Sequence, residues 1–197
     1  MKMKRHLGGS RGNEQLTAVV ATLLLVLLAV EGATLLDVGR WLTVHAFVGM
    51  LLIPVVALKL ASTGWRMARY YLGREEYVRR GPPHVLLRTL VAPVVVASTI
   101  ALFATGVALL ALDRTRGPIV GLHKASFFVW LGAVGVHVLT RLPRLWSALQ
   151  RRVPGLTLRL TAVAASVLAG FAVATFTLPA ADRLQDGISA HVGVDAR

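Results

Sequence analysis

One run of the chain, Gly121 to Arg141 (GLHKASFFVWLGAVGVHVLTR), limits the outcome more than any other. It is apolar over the length of a membrane-crossing helix, yet it carries a histidine near each end, His123 and His137. The offset, 137 − 123, is 14 residues. At roughly 100° per residue this is four turns less about 40°, so both imidazoles share nearly one helix face, about 21 Å apart along the axis. Histidine is rare inside transmembrane segments and usually faces the bundle interior. Two of them on one face at opposite depths predict two cofactor levels, provided another helix supplies the partners.

Four further apolar runs predict an all-α integral membrane bundle of five transmembrane helices with a four-helix core. A chain of 197 residues that is 55% hydrophobic fits that class better than a soluble domain. The expected organisation is a cytoplasmic tail at 1–14, a bundle over 15–178 and an extracytoplasmic tail at 179–197. Helices are expected at about 15–36, 38–65, 84–112, 119–142 and 157–178. The first run follows a basic start, but no small-x-small site closes it, so it reads as a retained helix and not a signal peptide. Trp41 and Trp65 frame the second helix as interfacial anchors, and Pro54 is expected to kink it.

The formal charge of +13 would fit a nucleic-acid partner, but the basic residues lie between the apolar runs, where the positive-inside rule puts them. No nucleic acid is therefore expected. The N-terminus and the 2–3 and 4–5 connections are basic, while the 1–2 loop and the C-terminal tail are not. That alternation predicts a multi-pass plasma-membrane protein with its N-terminus cytoplasmic and its C-terminus outside. The arginine-rich, Leu/Val/Ala-rich composition is of the kind associated with GC-rich bacteria. The chain has no cysteine, which excludes disulfides, iron–sulfur clusters, thiolate zinc sites and covalent c-type haem.

Helices 2 and 4 run in the same direction. His45 lies four residues past Trp41, and His123 four residues past Ile119, so the two are expected at similar depth near the outer face. A haem clamped between two helices needs one axial nitrogen from each at equal depth, and His45 with His123 meets that need. Fourteen residues beyond His45 stands Lys59, at the inner level of His137. Gly49, Gly132 and Gly135 lie where a flat macrocycle would need a close backbone approach, although plain helix packing also uses small residues.

The segments HAFVGMLLIPVVALK and HKASFFVWLGAVGVH together resemble the four-helix membrane b-type cytochromes, in particular the bacterial cytochrome b561-like group. The resemblance covers residues 38–142, with helix 1 or helix 5 completing the bundle. It implies two histidines about fourteen residues apart on each of two helices, two b haems one above the other, and electrons passed across the membrane or to a quinone. It also implies an oxidoreductase or other membrane-subunit partner on the outer side. The departure is Lys59, where the family pattern has histidine. A neutral lysine amine ligates iron once deprotonated; the competing reading is that Lys59 snorkels to the inner interface. His84, at the start of helix 3, is a further candidate partner for His137. One haem is the more economical count, and a second needs Lys59, His84 or another ligand opposite His137.

Other readings stand beside these. His45, His123 and His137 would also serve as structural histidines bonded to neighbouring helices. Arg40 is the outer candidate to pair with haem propionates, and Arg69 or Arg141 the inner ones; topology alone also accounts for these arginines, as for Arg66 and Arg88. Glu31 is expected at the outer interface beside Asp37. Phe47, Phe127, Phe128 and Trp130 read as packing or lipid-facing residues. Two different classes of protein compete: a cofactor-free scaffold subunit of a larger complex, and a small proton-coupled transporter using Glu31, Lys59 and the histidines.

Overall fold

A computed structural model describes residues 9–79, 81, 85–150 and 153–195 of the chain. Among these there is no strand, and five helices make an all-α bundle: α1 (Gly9–Thr34), α2 (Val38–Tyr71), α3 (Ala92–Ala111), α4 (Pro118–Leu149) and α5 (Leu156–Asp195). Four helical stretches are long and apolar enough to cross a membrane, Gly9–Tyr71, Leu87–Ala111, Pro118–Leu149 and Leu156–Ser189. The first of them is a hairpin. A short 3-10 turn, Leu35–Asp37, reverses the chain, and the Asp37 carboxylate caps α2 by accepting the Arg40 N–H at 3.1 Å. Asn13 then donates to the Ser62 carbonyl at 3.0 Å, which fixes α1 antiparallel to α2.

α3 and α4 form a second antiparallel hairpin. It turns through Asp113 and through Gly117, whose φ of +104° is costly for any residue with a Cβ, and Pro118 then opens α4 with its φ already helical. The hairpin is pinned along its length by Trp130, whose indole N–H donates to the Thr99 hydroxyl at 3.0 Å. The α2–α3 and α4–α5 connections lie at one end of the bundle, the basic end. The α1–α2 and α3–α4 turns lie at the other, the far end.

Packing joins α1 to α2, α2 to α3, α3 to α4 and α4 back to α1, a four-helix ring in which α2 and α4 stand diagonally opposed. The ring is completed by α1, and α5 lies along the flank of α2 in the most extensive helix pairing of the molecule. The reason for that intimacy is Gly170: a Cβ there would stand 2.3 Å from the Leu51 carbonyl oxygen, so the α5 backbone rests directly on α2. The main apolar core is Val20 and Leu24 of α1 with Val48, Leu52 and Val55 of α2, packed against Phe103, Val163 and Val167. The opposite faces carry exposed apolar side chains such as Phe128, Leu139 and Phe176, as lipid-facing surfaces require.

The ends of the helices depart from the sequence expectation. α1 is already helical at Gly9, so the polar start is not all tail; residues 1–8, with His6, lie outside the described residues. The Glu76 carboxylate caps this start by accepting the Ser10 N–H. α4 continues past Leu142 and Pro143 to Leu149. α5 continues through Pro179 to Asp195, where a tail was expected. Tertiary contact holds the extension: Ala181 and Leu184 pack with Leu110, Leu42 and Ala46, Gln185 bonds the backbone of Gly39 and Thr43, and Asp182 accepts the Thr43 hydroxyl. In α2 the non-helical dihedrals fall at Trp41 (φ −109°, ψ 20°) and not at Pro54. α3 is preceded by one π-helical turn, Leu87–Val91; His84 lies outside the described residues.

Candidate functional site

The ring brings the two depth-matched histidines together. His45 reaches in from the second turn of α2, and His123 from the second turn of α4. Their ring centroids lie 6.5 Å apart with planes at 87°. They meet across the diagonal of the ring, between two helices that share no extended backbone contact.

Each imidazole is held by its Nδ1 from the neighbouring helix of its own hairpin. His123 Nδ1 lies 3.0 Å from the Thr105 hydroxyl of α3. That hydroxyl gives its one hydrogen to the carbonyls of its own helix, Ala101 at 2.7 Å and Leu102 at 3.0 Å, so toward His123 it accepts. His45 Nδ1 lies 3.0 Å from the Thr34 hydroxyl and 3.0 Å from Glu31 Oε1, both on α1. Thr34 likewise spends its hydrogen on a carbonyl of its own helix, that of Glu31, at 2.6 Å. The hydroxyl network therefore assigns the proton to Nδ1 in both rings and leaves Nε2 as a lone-pair donor. The His123 ring also bonds to the Leu102 carbonyl of α3.

The surroundings are shaped to the rings. A Cβ on Gly106 would stand 3.2 Å from His123 Cε1, so this glycine leaves the imidazole its place. Gly49 faces Glu31, with a Cβ there 3.5 Å from Oε1. Gly132 and Gly135 meet nothing within 4 Å. The second carboxylate oxygen of Glu31, Oε2, is buried and has no hydrogen-bond partner among the described residues. Glu31 is thus not an interfacial neighbour of Asp37, as its place near the end of helix 1 implied, but part of the site: the α1–α2 hairpin carries it onto His45.

The remaining candidates lie elsewhere. Arg40 is exposed, and its guanidinium sits over the Trp41 ring, 5.5 Å from the centroid. Arg69 covers Trp65 in the same manner at the basic end, at 4.3 Å. Lys59 does not reach outward; its amine donates to the Thr17 carbonyl of α1 at 2.8 Å. His137 is half-buried at the same level and within electrostatic range of Lys59 and Arg141, but no hydrogen bond joins it to either. Among the described residues, the far-end level is therefore a closed pair of imidazoles, and the basic-end level a single imidazole among cations. Phe47 packs edge-on against Phe171 of α5, and Phe127 stacks on Trp130.

Sequence reasoning found both histidines but not Thr34, Thr105, Gly106 or the role of Glu31. Threonine and glycine are common in membrane helices, and nothing in their spacing marks these. Glu31 did carry a signal, as an acid inside an apolar run. Comparison with protein families, with curated proteins and with solved structures finds no match.

Proposed function

We propose that the chain is a b-type membrane cytochrome that holds one haem b between His45 and His123. The observation that carries this reading is the pair of imidazoles, each held at Nδ1 by the neighbouring helix and with ring centroids 6.5 Å apart. Two imidazoles on one iron, each nitrogen about 2 Å from the metal, have ring centres roughly 6 Å apart, so the residues fit the group. Two protein nitrogens suit an iron that brings its other ligands in a macrocycle. A carboxylate or hydroxyl on the far nitrogen of a ligating histidine is the usual support for such a ligand.

When bound, the haem supplies one-electron redox chemistry. The chain's own part is to present two neutral nitrogens, hold their ring planes and tautomers, and keep the site in a low dielectric between helices. Glu31 and Thr34 orient His45; Thr105 and Gly106 orient and accommodate His123. The proposal extends to a bacterial plasma membrane, with the N-terminus cytoplasmic, and to membership of the cytochrome b561-like group. Electrons would pass between a quinone pool or membrane donor and an oxidoreductase partner. A second haem at His137 is not favoured, because Lys59 is engaged with α1.

Purified protein is expected to show the reduced-minus-oxidised α-band of a low-spin b haem and one haem per chain by pyridine haemochrome. His45→Ala and His123→Ala are each expected to abolish it. A full spectrum in both variants overturns the ligand assignment. The unpartnered Glu31 Oε2 beside His45 favours one second reading, a proton-coupled carrier without cofactor. Absence of haem after expression with haem supplied selects that reading, or a plain scaffold, over the cytochrome.

A further inference from the structure

At the basic end, four cationic or ionisable side chains gather around the diagonal of the ring. Lys59 and Arg66 come from α2, His137 and Arg141 from α4. All four are half-buried, unlike the exposed Arg144 beside them. They lie within electrostatic range of one another: Lys59 with Arg66, Arg141 and His137, and Arg66 with Arg141. The ion pairs seen among the described residues, His45–Glu31 and Arg79–Glu75, involve none of them. Lys59 uses its amine on the Thr17 carbonyl, but the guanidinium groups of Arg66 and Arg141 make no hydrogen bond among the described residues.

Depth defines what could satisfy them. Arg66 is 21 residues past His45 and Arg141 is 18 past His123 (66 − 45 and 141 − 123). At about 1.5 Å per residue these are roughly 32 and 27 Å, about the thickness of the hydrocarbon core. The guanidinium groups therefore stand where acyl chains meet headgroups. Each presents five N–H donors in a planar fork that matches the oxygens of a phosphate. Trp65, with Arg69 over it, marks the same level as interfacial. Two guanidinium groups that make no hydrogen bond among the described residues, with an amine and an imidazole behind them at a membrane edge, suit an anion, and the bilayer offers one in the phosphate of an anionic phospholipid.

We propose that Arg66 and Arg141, with Lys59 and His137 behind them, form a binding site for the headgroup phosphate of an anionic phospholipid at the basic end of the α1–α2–α4 face. The site is independent of any haem at the far end.

The test uses the full-length protein, delipidated in a neutral detergent. Thermal unfolding and native mass spectrometry are followed on adding phosphatidylglycerol, phosphatidylcholine or millimolar inorganic phosphate. Phosphatidylglycerol is expected to raise the unfolding temperature and to remain as a bound adduct; phosphatidylcholine is not. Arg66→Gln and Arg141→Gln are each expected to weaken the lipid effect about fivefold, and Lys124→Gln, an exposed cation at the far end, to leave it unchanged. Should the glutamine variants fail to fold, Arg66→Lys and Arg141→Lys keep the charge without the fork and are expected to retain part of the effect. Equal stabilisation by both lipids overturns the proposal, as does full stabilisation by inorganic phosphate alone. Loss of a haem from the arginine variants also overturns it, by giving these groups to propionates instead.

Discussion

At the residue scale, the far-end site rests on hydroxyls that have only one hydrogen to give. Thr105 and Thr34 both spend it on a carbonyl of their own helix, and that fixes the direction of the bond to each histidine. Thr105→Val keeps the shape of the side chain but deprives His123 Nδ1 of its hydroxyl partner. A group so placed costs about 1–3 kcal/mol, and loss of such support usually weakens a metal site by about 10–100-fold. Haem titration of the valine variant is expected to show a loss in that range, with the fold intact by circular dichroism. An unchanged affinity would show that the hydroxyl is not what holds the ring. The histidines were legible in the sequence because imidazole is conspicuous in an apolar run. Their threonine supports were not, because threonine in a membrane helix normally bonds its own backbone, and Thr89, Thr140 and Thr161 here do only that.

At the element scale, the five helices could be read from apolar length, whereas their ends could not. Pro143 and Pro179 are stop signals in isolation, yet α4 and α5 run through both. What decides at Pro179 is packing: the extension covers Leu42 and Ala46 and bonds Gly39 and Thr43, none of which is near it in sequence. The same pairing of α2 and α5 depends on Gly170. Gly170→Leu would drive a side chain into the Leu51 carbonyl, and because the obstacle is backbone the helices must separate. A destabilisation of about 1–3 kcal/mol or more is expected, read as a lower thermal midpoint and earlier proteolysis of α5. Gly132→Leu, on an exposed position with nothing within 4 Å, is the control expected to have little effect.

At the scale of the whole molecule, the ring explains why, among the described residues, the 14-residue offset repeated on helices 2 and 4 closes a histidine pair at one level only. The same register that sets His45 against His123 sets Lys59 level with His137, but the Lys59 amine turns to α1 instead. Sequence spacing gives depth; only the ring gives direction. The far-end site also has an order of assembly written into it. His45 finds Glu31 and Thr34 within the first hairpin, and His123 finds Thr105 within the second, at separations of 11 and 18 residues for the threonine pairs. Each half is thus complete through local contacts, which form fastest, before the two hairpins meet. A chain divided in the connection between α2 and α3 is therefore expected to reassemble when its two pieces are made together, and to recover the spectrum of the proposed haem. The α1–α2 piece alone should lack the bis-histidine signature. The histidine pair is then less a pocket carved into a finished bundle than the seam along which two prefabricated hairpins close.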